Sequence, residues 1–449
     1  MQADERAPRG VRIIRAVTGG LAVSTIVFSI AFDAIAGGHP GFGVAQAILL
    51  AFGIGTGLFC FLPAEWNERY LLVLCATAVS AALAEGALRV VFGKTLAAAV
   101  ELDSRYFYKL TPNAQRVFTH SPNNGGRRIE VQVNSEGFRG REFRRDGPKR
   151  VIVYGDSCIE AEFSELGQTF VGKLESKLQT KLPGVEVINA GVIGYGPDQS
   201  SLRMEDELPR LKPDLVILAL YPNDFGDMLR NKLFKLDERG QLVKNVPQIS
   251  EALKASFRRA KSGLYLAKTF HKIWARFHPS PVPTPDSDLL RCRDEYESYV
   301  KNGNNEPEDP LNDHWDADIS LQPDGASARY KKDLMVEMLR RVKDLAAKQG
   351  EPLVLMFIAS PIDACDGYDG RQVDPTKYPA YERSTLTDAM AEAATRADVS
   401  YVNLFPIFRA QADPNKLYFH GSDDHWNDAG QELGAQEMAE YILSKGLLQ

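Results

Sequence analysis

The first hundred residues constrain this chain most. Three stretches there match the roughly 20 apolar residues that a helix needs to cross a bilayer: Ala16 to Ala36, Phe42 to Leu62, and Tyr70 to Phe92. The first carries Asp33 near its far end, the second holds no charged residue, and the third carries Glu85 and Arg89 in its last third. A lone signal peptide would account for the first stretch and leave the other two unexplained. The pattern therefore predicts three transmembrane helices within residues 1–95. Arg6, Arg9, Arg12 and Arg15 precede the first stretch, whereas the loop Gly37 to Gly41 has no Lys or Arg. By the positive-inside rule the N-terminus is cytoplasmic, and three crossings put everything after Phe92 outside. Arg89 and Lys94 at the third exit run against that orientation.

The rest of the chain is different in kind. Over all 449 residues, 44% are hydrophobic and 25% charged, a globular balance in a chain too long for one ordinary domain. A net charge of -6 without a long basic run argues against a nucleic-acid partner. Of five cysteines, Cys60 and Cys75 lie in the apolar stretches, where they read as small apolar residues. Cys158, Cys292 and Cys365 are an odd number, so they cannot all pair internally. A Cys292–Cys365 disulfide is allowed in an oxidising compartment, and spacing alone does not establish it.

Residues 96–149 form a polar lead-in rich in Arg and Asn. Within it "RRIEVQVNSEGFRG" (Arg127 to Gly140) alternates like a half-exposed strand that ends in a turn. From Arg150 the rhythm becomes strand and helix in turn. "RVIVYG" (Arg150 to Gly155), "VEVINAG" (Val185 to Gly191) and "PDLVILALYPND" (Pro213 to Asp224) read as strands or a strand with its turn. "PLVLMFIASP" and "VSYVNLF" follow later. Helices are expected at Leu166 to Leu182, up to Leu211, at Ala328 to Gln349, at Ser384 to Ala397 and after Asn427. Continuous apolar strands joined by helices predict an α/β domain over 150–449, with a parallel sheet covered on both faces. The rhythm breaks between 225 and 329, where Pro279, Pro281, Pro283 and Pro285 and "KNGNNEPEDP" occur. That length exceeds a plain loop and predicts an inserted cap.

In such a sheet, working residues gather beyond the carboxyl ends of the strands. Four polar turns fall there: Gly155-Asp156-Ser157, "NAGVIGYG" (Asn189 to Gly196), Asn223-Asp224 and "SDDHWNDAG" (Ser422 to Gly430). A serine hydroxyl becomes a nucleophile when a base takes its proton, and the base needs an orienting acid. Ser157 is the candidate nucleophile and His425 the candidate base. The N–H groups of Ser157 and Gly194 and the Asn223 amide are candidate donors to the oxyanion of an acyl-transfer intermediate.

The order Gly-Asp-Ser, glycine after the second strand, Asn-Asp after the third and a C-terminal Asp/His motif resembles the SGNH/GDSL hydrolases, over roughly Arg150 to Gln449 without the insert. The resemblance implies an SGNH-type three-layer α/β/α sandwich. It makes Ser157 the nucleophile, His425 the base, and Ser157, Gly194 and Asn223 the oxyanion hole. The "VNSEGFRG" lead-in and the N-terminal spans look like a membrane-attached bacterial subgroup associated with surface polysaccharides. Two departures stand out. The usual family acid lies three residues before the histidine, and that position is Ser422 here. Asp423 gives Asp-x-His instead, a spacing that resembles related alginate-acetylation enzymes, and makes Asp423 the candidate acid. Bulky "CIEAEF" stands where the family often has glycine, which narrows the site.

Rival readings remain open on the sequence. "GVIGYG" is not the dinucleotide-binding glycine pattern. "NDHWD" offers His314 as another base, inside the insert. His420, Asp423, Asp424 and His425 could ligate a metal, but match no standard zinc spacing. His39, His120, His271 and His278 read as ordinary surface or interfacial residues. The expectation is a membrane-anchored serine esterase on the inner membrane, with its catalytic domain outside the cytoplasm and without a cofactor. Its substrate would be an acylated, chiefly O-acetylated, exported or surface glycan. An O-acetyltransferase using the same residues, with a partner protein supplying the acyl donor, and a non-catalytic polysaccharide-assembly factor are the alternatives.

Overall fold

A computed structural model of the protein describes residues 9–36, 44–96, 100–120, 124–144, 149–245, 254, 319–320, 323–369, 373, 376, 379–421 and 425–448. They fall into two compact units that divide between Val91 and Phe92.

The first unit holds helices α1 (Arg9–Ala36) and α2 (Val44–Phe59), and α3 (Ala64–Leu96) as far as Val91. Two of them, over Arg9–Ala31 and Ala64–Val90, are long and apolar enough to cross a membrane, and the apolar part of α2, Gln46–Phe59, is shorter. The expected three full-length spans are thus corrected to two and a shorter helix. At 1.5 Å per residue the 16 residues of α2 rise about 24 Å, against a hydrocarbon core of about 30 Å. The helix stops early because Cys60, Phe61 and Leu62 bond back to the third residue before them and Pro63 follows. Apolar composition continues to Leu62, but the helical turn does not.

α2 runs back along α1. Ser29 Oγ donates to the Gln46 carbonyl at 2.7 Å near one end, and Cys60 Sγ lies 3.7 Å from the Arg15 carbonyl near the other. Gly53 makes the approach possible, since a Cβ there would lie 2.7 Å from Ile26 Cγ1. Thr18 Oγ1 donates to Asn67 Oδ1 at 2.7 Å, so α3 begins beside the start of α1. Along α3, Leu72, Val73, Val79, Leu83 and Val90 are exposed.

The second unit opens with two antiparallel hairpins, β1 (Val100–Asp103) with β2 (Phe107–Leu110) and β3 (Gln115–Thr119) with β4 (Arg128–Gln132). On β4 the alternation read from the sequence is real, with Ile129 and Val131 buried between exposed neighbours. The chain then continues through β5 (Arg150–Gly155), α4 (Ser157–Glu160), α5 (Phe170–Gln179), β6 (Glu186–Gly191), α6 (Pro197–Leu211) and β7 (Leu215–Leu220). After α7 (Asp224–Asn231), a short antiparallel hairpin pairs β8 (Phe234–Leu236) with β9 (Leu242–Lys244). The remaining elements are α8 (Ala326–Gln349), β10 (Leu353–Phe357), α9 (Pro361–Ala364), α10 (Thr385–Arg396), β11 (Ser400–Asn403), α11 (Phe405–Arg409) and α12 (Asp428–Lys445).

The sheet has the order β11-β10-β7-β5-β6, and each neighbouring pair is parallel. Alternate residues of β5 feed two cores. Ile152 and Tyr154 pack with Leu202 and Leu208 of α6, Leu339 of α8 and Met390 of α10. Val151 and Val153 pack on the other face with Leu174 of α5, Phe408 of α11 and Met438 of α12. This is an α/β domain with a parallel sheet between two helical layers. From β5 the chain moves to β6 on one side and then crosses to β7 on the other, so the loops after β5 and β7 part at a crevice.

In the expected insert, Phe225, Met228, Leu229, Leu233 and Phe234 are buried in the first of these cores. Its proline-rich middle, with His314, lies outside the described residues, as do His39, His271, His278 and Cys292. Cys365 is buried and forms no disulfide among the described residues.

Candidate active site

The end of β5 places Ser157. A Cβ on Gly155 would lie 2.6 Å from Ile159 Cγ1 and 3.3 Å from the Ala219 Cβ, so the turn needs glycine. Asp156 caps α4, its carboxylate accepting from the Cys158 N–H at 2.8 Å. Ser157 is the first residue of the helix, where a backbone N–H has no partner within the helix. Ala161 ends α4 in the left-handed region at φ 53°.

His425 arrives from the far end of the chain. Its carbonyl accepts from the Phe419 N–H at 2.9 Å, and Tyr418 and Trp426 form an isolated antiparallel bridge. His425 Nε2 lies 2.7 Å from Ser157 Oγ, the distance a base needs to take the hydroxyl proton. The Phe163 ring stands edge-on against the imidazole at 5.8 Å. Asp423 lies outside the described residues, as do Ser422 and Asp424. The turn before them is fixed by Asp369, whose carboxylate holds His420 Nδ1 at 2.8 Å and accepts from the Gly421 N–H at 2.7 Å.

The two other turns meet at the same edge. Gly194 follows β6 in the left-handed region, at φ 72°. Asn223 sits at the start of α7, and its side chain caps no helix N–H. The Asn223 Oδ1 is buried and meets no hydrogen-bond partner among the described residues. Asp224 behind it accepts from the Tyr221 N–H at 2.8 Å, and burial, reinforced by Asp156 and Asp227, holds its carboxyl well above the usual range.

Several participants went unread in the sequence. Glu160 is buried and accepts from the Ile193 N–H at 2.6 Å, and burial raises its pKa. Glu162 lies 3.4 Å from the Arg116 guanidinium. Burial and then the Glu160 charge push its carboxyl up to about 7, against the opposing pull of Arg116, His425 and Arg139. Arg139, read as part of the turn that ends a half-exposed strand, is 3% exposed and donates to the carbonyls of Glu160, Ala161 and Ser164. His120, read as an ordinary surface or interfacial residue, is buried, bonds the Phe163 carbonyl and packs on the Phe419 ring at 5.1 Å. The "GFRG" turn and the acid-rich "CIEAEF" were the signals for Arg139, Glu160 and Glu162.

No family model and no curated protein matches this sequence. Among solved structures, the chain is similar to a lipase/acylhydrolase from Enterococcus faecalis, at 12% identity over 66% of this chain and 96% of that one, TM-score 0.33. It is also similar to a catalytic mutant of an acetylxylan esterase from Geobacillus stearothermophilus, at 15% identity over 67% and 96%, TM-score 0.35. A two-domain esterase active on acetylated mannans matches at 13% identity over 68% of this chain and 51% of its own, TM-score 0.33.

Proposed function

We propose that this protein is a membrane-anchored serine esterase of the SGNH/GDSL type, acting on acyl esters of exported or surface glycans, with O-acetyl as the principal acyl group. The observation that carries the reading is the 2.7 Å contact between His425 Nε2 and Ser157 Oγ at the carboxyl edge of the sheet. His425 takes the Ser157 proton while Oγ attacks the ester carbonyl. The oxyanion is received by the N–H groups of Ser157 and Gly194 and the amide of Asn223. The Asn223 side chain caps no helix N–H, and its NH₂ is the end that can donate to an oxyanion. His425 then returns the proton to the leaving alcohol, leaving the acyl group on Ser157. Water, activated by the same imidazole, releases it as the carboxylic acid. Asp423 is assigned the orientation of His425.

The first unit supports the anchor. α2 is antiparallel to α1 and α3 starts beside the start of α1, so a crossing by α3 is read as the third. A short middle helix is accommodated by local thinning of the bilayer. Arg6 and the arginines of the first two turns of α1, Arg9, Arg12 and Arg15, hold the N-terminus in the cytoplasm, and the ester-cleaving unit is then extracytoplasmic on the inner membrane. A reporter fused after Lys94 and active in the cytoplasm would remove this placement.

Hydrolysis and acyl transfer use the same residues. Hydrolysis requires no partner to carry an activated acyl donor through the membrane, and is the reading adopted. The test supplies the full-length protein with an acetyl ester, with and without an acceptor glycan, and follows the acetyl group. Free acetate, lost in Ser157→Ala, is the expected product. Acetylated glycan formed at the expense of acetate would make the protein a transferase, and equal turnover by Ser157→Ala would end the serine mechanism.

A further inference from the structure

We propose that the lead-in hairpins belong to the catalytic unit and that Tyr108 is a positioning residue, aiming the Gly194 N–H at the oxyanion; this rests on the esterase reading above. The Tyr108 hydroxyl donates to the Ile193 carbonyl at 2.9 Å. That carbonyl and the Gly194 N–H belong to one planar trans peptide and point in opposite directions. Fixing the first therefore aims the second. The peptide before it is held as well, since the Ile193 N–H donates to the Glu160 carboxylate at 2.6 Å. The approach is close enough that a Cβ on Gly194 would lie 2.8 Å from the Tyr108 oxygen.

Tyr108 is itself anchored to the sheet domain. Its carbonyl accepts from the Tyr195 hydroxyl, and its ring meets that of Tyr195 edge-on at 5.4 Å. Two residues earlier, the Tyr106 carbonyl accepts from Gln199 Nε2 at 2.9 Å. Arg105 pairs with Glu205 and Asp206 on α6.

The lead-in grips the other two loops with different residues. Arg139 gathers the carbonyls of Glu160, Ala161 and Ser164, which follow Ser157 in the chain. Its own backbone bridges to Asn189 on the edge strand β6. Asn124 and His420 exchange two hydrogen bonds, at 2.8 and 2.9 Å, and Arg127 reaches Asp428 at 2.8 Å. Those residues flank His425. One element therefore contacts the loop of the nucleophile, the loop of an oxyanion donor and the segment of the base. A mere cover for the β6 edge would need only the backbone bridge. Polar side chains aimed at all three loops fit a frame that sets their relative geometry.

The decisive variant is Tyr108→Phe in the full-length, detergent-solubilised protein, because it removes one hydroxyl and keeps the ring. We expect kcat to fall roughly 10-fold with KM and melting temperature unchanged, since a donor that is present but misaimed loses part of its worth. Arg139→Lys, whose single ammonium cannot span three carbonyls, should slow phosphonate labelling of Ser157 by a similar factor. Wild-type kcat in Tyr108→Phe overturns the positioning role. If Arg139→Lys fails to fold, Tyr108→Phe decides alone. Ser157→Ala separates the two layers of inference. An inactive Ser157→Ala beside a fully active Tyr108→Phe sinks only the positioning, whereas an active Ser157→Ala sinks the esterase reading and this inference with it.

Discussion

Trp426 donates its indole N–H to the carbonyl of Cys158 at 2.9 Å. Each partner is the residue next to a candidate catalytic group, His425 and Ser157, and 268 positions separate the two in sequence. The bond braces the candidate base and nucleophile from behind. Trp426 is also packed against Phe170, with ring centroids 5.7 Å apart.

Trp426→Phe should therefore lower both stability and turnover. The Cys158 carbonyl would lose a buried donor, a loss of about 1–3 kcal/mol before the smaller ring is counted. A thermal melt and a kcat measurement on an acetyl ester check this. An unchanged melt with unchanged kcat would show that the brace carries no weight.

If Asn223 is the oxyanion donor proposed, Asn223→Ala should lower kcat by a factor of roughly 10²–10³, the usual effect of removing one such donor. KM should be largely unaffected, because the amide acts on charge that develops only in the transition state. A rise in KM with kcat intact would instead make Asn223 a substrate-binding residue.

The acid is tested by comparing neighbours. Asp423→Asn should cost far more activity than Asp424→Asn, because adjacent residues rarely bring their side chains together and a two-residue separation in a turn can. The reverse ranking would move the triad by one position.

Glu162 gives the protein a dependence on pH. Its carboxyl has a pKa of about 7 in the folded protein against an ordinary 4.5, so the folded state holds that proton more tightly than the unfolded state. The stability it contributes is full below 4.5 and is lost as pH rises through about 7. Glu162→Gln cannot ionise, and its melting temperature should fall less than that of the wild type between pH 5 and 8. Parallel melting curves over that range would place the titration elsewhere.

Local features were legible in the sequence where a local rule decided them. β5 begins at Arg150 and ends at Gly155 as its apolar run does, because the run is buried on both faces. The helix read from Leu166 instead begins as a short 3₁₀ turn, and α5 starts at Phe170 behind the Thr169 cap, whose hydroxyl accepts from the Gly172 N–H at 3.1 Å. The length of α2 was misread because apolarity does not report where hydrogen bonding tightens before Pro63. Ser157 and His425 were legible because their neighbours form short motifs. Tyr108, Arg139 and Glu162 were not, because each makes its contacts only when distant segments come together. Arg139 in particular sits in a polar turn and is buried only because three carbonyls face it.

The most direct test of the central claim is covalent labelling. The full-length protein is treated with a serine-reactive phosphonate, digested, and the modified peptide located by mass spectrometry. The expected result is a single adduct on Ser157, absent in Ser157→Ala and strongly slowed in His425→Ala. Labelling that persists unchanged in both variants, or no labelling of a folded protein, would contradict a serine activated by His425.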